Sequence, residues 1–222
     1  MIEAIIADTE TTDKEGDIEV LELAWICWKN SGTHHSLYEP STPIRWGAMA
    51  VHNILPQDVL GQGHKPSRDA YKDLPVGLRY LIGHNIDFDW KALGCPPVKR
   101  ICTLAMSRAL WPECDSHTLS AMTYFTQGAN PATRDKLRSA HSADADVALC
   151  AELLAVILSV AKISTLEALY EFSEDARVPK IMTFGKFRGM PISAVDRGYS
   201  NWYRKQPDTD PYLLEAFRRA GI

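Results

Sequence analysis

Three short clusters of polar side chains stand out in the chain: Asp8-Thr9-Glu10, then Gly83-His84-Asn85-Ile86-Asp87-Phe88-Asp89, then His141-Ser142-Ala143-Asp144-Ala145-Asp146. Singly, each admits a plain account: acids at the end of a strand, a polar turn, and acids partnering the dipole of a helix start. Together they suggest chemistry. Carboxylates gathered in one fold repel one another unless they are protonated or neutralised by cations. An all-oxygen ligand set favours hard cations, Mg²⁺ or Mn²⁺, over zinc. Two such ions about 3.5–4 Å apart can clamp the attacking and leaving oxygens of an in-line phosphoryl displacement. A nearby histidine, with an ordinary pKa of roughly 6.5, can take the proton from the attacking water. The chemistry implied is phosphodiester hydrolysis.

The elements that must position these groups can be read in outline. Residues 2–7 form an apolar strand leading into Asp8, so Asp8 and Glu10, two apart, share a face. A second apolar run covers 18–28, and residues 31–47, with Gly, Ser, Thr and Pro, suit a third strand with turns. Residues 56–72 read as loop with short helix, and 78–82 and 98–104 as strands. Helical spacing appears over 103–111 and 117–125, and the strongest helix over 142–162, with Ser142 as its N-cap. Ser164-Thr165-Leu166-Glu167 reads as a capping box opening a short helix through Phe172, stopped by Pro179. Antiparallel strands first and helices between later elements predict an α/β fold. Three parts are expected: a main domain over 1–163, a helical linker over 164–177 and a small basic-aromatic module over 178–222.

Composition narrows the class. Of 222 residues 45% are hydrophobic and 23% charged, which excludes a disordered tail, a collagen-like rod and a disulfide-dense mini-protein. No apolar run approaches the ~18 residues of a membrane span, and the acidic start does not suit a secretory signal. Five cysteines without a Cys-x-x-Cys pair indicate neither a disulfide framework nor a zinc knuckle, so a cytoplasmic setting is expected. The net charge of −4 disfavours a partner held by bulk positive charge. It is compatible with a polyanion approached through bound cations. No feature points to a particular oligomeric state. His34-His35 and Cys114-Asp115-x-His117 read as loop residues, and Trp25 and Trp28 as core.

The sequence Asp8-x-Glu10, His84-Asn85-x-x-Phe88-Asp89, His141-x-Ala143-x-x-Asp146 resembles, in order and internal spacing, the three motifs of the DEDDh 3′→5′ exonucleases. That family includes polymerase proofreading subunits, RNase T and oligoribonuclease. Val51-His52-Asn53-Ile54 is similar to a loop of the family near the substrate, with Asn53 in place of the usual Gly. The segment 183–189, Thr-Phe-Gly-Lys-Phe-Arg-Gly, is similar to a small terminal module in one bacterial branch. The resemblance implies an RNase H-like mixed sheet flanked by helices, with a small α-rich C-terminal module. It implies that Asp8, Glu10 and Asp146 hold a first Mg²⁺ or Mn²⁺, that Asp8 bridges to a second supported by Asp89, and that His141 is the general base. Thr9, Thr11, His52 and Asn85 would line the 3′-terminal nucleotide; Asp87 and Asp144 would be spare. The implied activity is removal of 5′-mononucleotides from DNA 3′ ends, as in DNA repair. RNA 3′ trimming, or nucleic-acid binding by a vestigial site, are the alternatives. Thr12-Asp13-Lys14 stands where the family often has Gly-Leu, which bears on how the terminal base is met. Asn53 is expected to narrow the nucleotide pocket. Lys186 and Arg188 are candidate nucleic-acid contacts, although their segment equally suits a small core with a basic rim.

Overall fold

The computed structural model describes residues 2–29, 31–138 and 142–222. Its centre is β1 (Ala4–Thr11), buried along most of its length and paired on both sides. A central strand needs near-continuous apolar residues, which Ala4, Ile5, Ile6 and Ala7 provide. The antiparallel neighbours β2 (Val20–Cys27) and β3 (Thr33–Glu39) follow on one side, and a two-residue β4 (Lys65–Pro66) closes that edge. On the other side β5 (Tyr80–Gly83) and β6 (Lys99–Cys102) run parallel to β1. The six-stranded order is β4-β3-β2-β1-β5-β6, a mixed sheet in an α/β fold as the sequence predicts.

Helices lie between the later strands and after the last of them. They are α1 (Trp46–His52), α2 (Pro56–Val59), α3 (Asp87–Ala92), α4 (Thr103–Leu110), α5 (Leu119–Gln127), α6 (Pro131–Leu137), α7 (Ala143–Ala161) and α8 (Leu166–Arg177). The long apolar α7 packs on β1 and β2, burying Ala143, Val147, Cys150, Leu154 and Ile157. Its start is as read from sequence: Ser142 Oγ accepts the Ala145 N–H at 3.4 Å.

Several expectations are corrected. His34 and His35 lie on β3, not in a loop, with the His34 ring stacked 5.5 Å from Trp25. The chain over 46–52 is helix, and α6 had no counterpart in the sequence reading. The cap of α8 is Thr165, whose Oγ1 accepts the Ala168 N–H at 3.2 Å. Glu167 does not close a capping box, because its carboxylate accepts from Lys99 Nζ at 2.8 Å and from the Tyr80 hydroxyl. The helix then runs to Arg177, five residues past Phe172.

The chain divides into two compact units, residues 1–170 and 171–222. The second has a core of its own from Met182, Phe187, Ile192, Val195, Tyr203, Leu213 and Phe217. It carries α9 (Arg197–Tyr203) and α10 (Pro211–Ala220). Lys186 pairs there with Asp196 at 3.5 Å and lies 4.9 Å from the Phe187 ring centroid, while Arg188 is exposed. Among the described residues no single helix is long and apolar enough to cross a membrane.

Candidate active site

Strand β1 supplies the first two carboxylates. Asp8 and Glu10 project to the same face, and the antiparallel register sets Ala24 opposite Asp8 and Glu22 opposite Glu10. The small Ala24 leaves room beside Asp8, whereas Glu22 places a like charge directly across from Glu10, an arrangement that costs free energy in a sheet. Helix α7 packs over the same two strands and brings Asp146, one turn from its N-cap, to the pair. One oxygen from each of Asp8, Glu10 and Asp146 lies within 4.8 Å of the others, all three side chains half-buried. Asp144, two residues earlier, is exposed.

Asp89 arrives from the other side. Strand β5 pairs with β1 only through Ile6, so the N–H groups beyond that point need another acceptor. Asp89, on α3 and 3% exposed, meets the need: its Oδ1 accepts from the Thr9 N–H at 2.9 Å and the Thr9 hydroxyl at 2.7 Å. Gly83 makes this turn possible. A Cβ there would sit 2.6 Å from Ile86 Cδ1 and 2.8 Å from the Ala7 carbonyl oxygen. Asp87, by contrast, pairs with Arg100. His84 is structural, its Nδ1 2.9 Å from Thr103 Oγ1 and its Nε2 2.8 Å from the His117 carbonyl. Burial holds it down at a pKa of about 4.

The residues expected to line the nucleotide fall unevenly. Thr9 and Thr11 are buried, their hydroxyls donating to Asp89 and to the Asp13 carbonyl. His52 is 7% exposed, its Nδ1 accepting the Ile54 N–H at 2.9 Å and its Nε2 without a hydrogen-bond partner among the described residues. Asn85 is exposed with φ 69°. Asn53 caps α1 in the left-handed region at φ 59°, so it stands in for Gly because Asn tolerates that backbone best among the other residues. At Thr12-Asp13-Lys14 the surface is polar: Asp13 pairs with Arg45 at 3.3 Å, and the Arg45 N–H donates to the Thr12 carbonyl. His141 lies outside the described residues.

The sequence reading missed Glu22. It is 5% exposed, and no motif flags it; its position opposite Glu10 emerges only with the register of β1 on β2.

Electrostatics single out this nest. Burial, then Asp89, Asp146, Glu10 and Glu22, push the Asp8 carboxyl well above the usual range. Burial, then Asp146, Glu22 and Asp89, push Glu10 up to about 8. Burial lifts Asp89 to about 6 against the opposing hydrogen bonds from Thr9. Asp8, Glu10 and Asp146 make an all-oxygen donor set within chelating reach, which fits a hard divalent cation.

A stability prediction follows with a definite sign. These carboxyls hold their protons more tightly in the folded than in the unfolded chain, so the folded state binds more protons between the two sets of pKa values. In EDTA, stability should therefore fall as pH rises from about 4–5, the unfolded range, through about 8, the folded value of Glu10. Because Glu10 is partly exposed the effect is discounted, to a melting-temperature drop of roughly 5 °C. Differential scanning fluorimetry between pH 5 and pH 8.5 measures it. Millimolar Mn²⁺ should abolish the slope, and a flat metal-free curve would mean the nest is not strained.

Comparison with known proteins adds the following. No family model matches the chain. It is 31% identical over 201 residues to exodeoxyribonuclease 10 of Escherichia coli K12, covering 89% of this chain and 88% of that protein. A solved structure described as exonuclease X in complex with 5′ overhanging duplex DNA superposes with a TM-score of 0.62 at 27% identity, covering 77% of this chain and 99% of that one. A zinc-bound E. coli ExoI–ssDNA complex superposes with a TM-score of 0.57 at 16% identity, covering 80% of this chain and 43% of that one. The shared architecture is the RNase H-like fold.

Proposed function

This chain belongs to the exodeoxyribonuclease 10 (exonuclease X) family, and on that premise we propose that it is a divalent-cation-dependent 3′→5′ exodeoxyribonuclease releasing 5′-mononucleotides. The observation that carries the reading is the convergence of Asp8, Glu10 and Asp146, from a strand and a helix far apart in sequence, within 4.8 Å. These three would hold a first Mg²⁺ or Mn²⁺. Asp8 would also face a second, with Asp89 supporting it. When bound, such cations supply the positive charge that admits a phosphate to an acidic pocket and stabilises the departing 3′ oxygen.

The chain's own residues do the rest. His141 accepts the proton of the attacking water. The backbone of Thr9 to Thr11, with His52 and Asn85, fixes the terminal nucleotide, which confines cleavage to chain ends. Asp89 is kept ready by Thr9, whose two hydrogen bonds favour its ionised form against burial. Lys186 and Arg188 on the second unit contact the phosphate backbone.

The test is direct. A 5′-labelled DNA oligonucleotide with Mg²⁺ should shorten as a ladder from its 3′ end, and EDTA should stop it. The RNA oligonucleotide of equal sequence should be cut more slowly. Equal or faster cutting of RNA would reassign the substrate, and no ladder on either would remove the activity.

A further inference from the structure

Glu22 is a carboxylate that the proposed reaction does not use, yet it sits in the worst place for a charge. It is 5% exposed, directly across the sheet from Glu10, and it adds to the push on both Glu10 and Asp8. An arrangement of that cost needs a compensating contact. Two are present. Oε2 of Glu22 accepts the N–H of Ala143, the first residue of α7, at 3.0 Å. Oε1 lies 2.6 Å from Nε2 of His35 on β3.

The first contact matters most. The opening N–H groups of a helix have no partner within it. Ser142 satisfies Ala145 and Glu22 satisfies Ala143, so the start of α7 is tied at one point to itself and at another to β2. Asp146 follows Ala143 by three residues, about 4.5 Å along a rigid helix. A displacement at Ala143 is therefore carried to Asp146, while Asp8 and Glu10 stay fixed on β1.

We propose that Glu22 is a positioning residue. By hydrogen-bonding the first turn of α7, with His35 bracing its other oxygen, it sets Asp146 at chelating distance from Asp8 and Glu10. Glu22 is not one of the chelating trio; it acts through α7. The inference rests on reading the nest as a divalent-cation site.

The experiment compares the full-length wild type with Glu22→Gln and Glu22→Met by Mn²⁺ titration, free Mn²⁺ being followed by electron paramagnetic resonance. Far-UV circular dichroism and melting in EDTA accompany it. Gln keeps an acceptor for Ala143 without the charge; Met has similar length and no acceptor. Glu22→Met should bind Mn²⁺ some 10–100-fold more weakly, well below its melting temperature, and Glu22→Gln within about threefold of wild type. Equal losses in both would assign the effect to charge and overturn positioning. Wild-type affinity in Glu22→Met, or its failure to fold, would overturn it too, leaving Glu22 to the fold. Should the wild type itself take up no Mn²⁺, it is the reading of the nest that fails.

Discussion

Asp8→Asn should leave a folded protein with no measurable hydrolysis, a loss on the order of 10³-fold or more, and the metal-free variant should melt higher than wild type. Both halves come from one cause. Asp8 stands where burial and four other carboxylates act on it together. On the proposed reading that concentration of charge would grip the cations, and losing one ligand would forfeit several kcal/mol of transition-state stabilisation, each 1.4 kcal/mol being about tenfold in rate. Without cations the same charge is repulsion, and the amide relieves it. Asp146→Ala should be similarly inactive. Steady-state rates with Mg²⁺ and melting curves in EDTA at pH 8 test the pair of effects. More than a tenth of wild-type activity in either variant would show that the carboxylate is no ligand.

His141→Ala separates proton transfer from metal binding. A positioned general base contributes about 10²–10⁴-fold, so the rate should fall by that factor. Mn²⁺ affinity should stay within about threefold, since hard cations take oxygen rather than imidazole nitrogen. The deficit should narrow between pH 7 and 9, as hydroxide substitutes for the missing base. An unaltered rate, or Mn²⁺ affinity lost in parallel with it, would remove the assigned role. The contrast with Asp8→Asn is the informative part: on the proposed reading one variant should keep its cations and lose its base, the other the reverse.

What the sequence made legible was whatever depends on neighbours along the chain. The strand carrying Asp8 and Glu10, the Ser142 cap and the long apolar α7 all follow from local periodicity and capping, and the structure contains each of them. Helix α6 escaped because PATRDKL has no apolar stripe; only Asn130, which caps Thr133 N–H at 3.0 Å, and Pro131 behind it hinted at a start. Helix α1 escaped because its segment follows a run of turn formers. The engagement of Asp89 by Thr9 depends on where β5 stops pairing, and Glu22 on which residue of β2 faces Glu10. Both are facts of register, and register is a property of the assembled sheet rather than of any window of sequence.

Gly83 carries a consequence for how this pocket can vary. With a carbonyl on one side and an isoleucine methyl on the other, only a hydrogen fits there. Even alanine would have to wedge apart the two parallel strands whose tips support the acids. In a saturation library scored for folded protein rather than activity, changes in the exposed loops around the pocket can be absorbed, whereas Gly83 should return almost nothing but glycine.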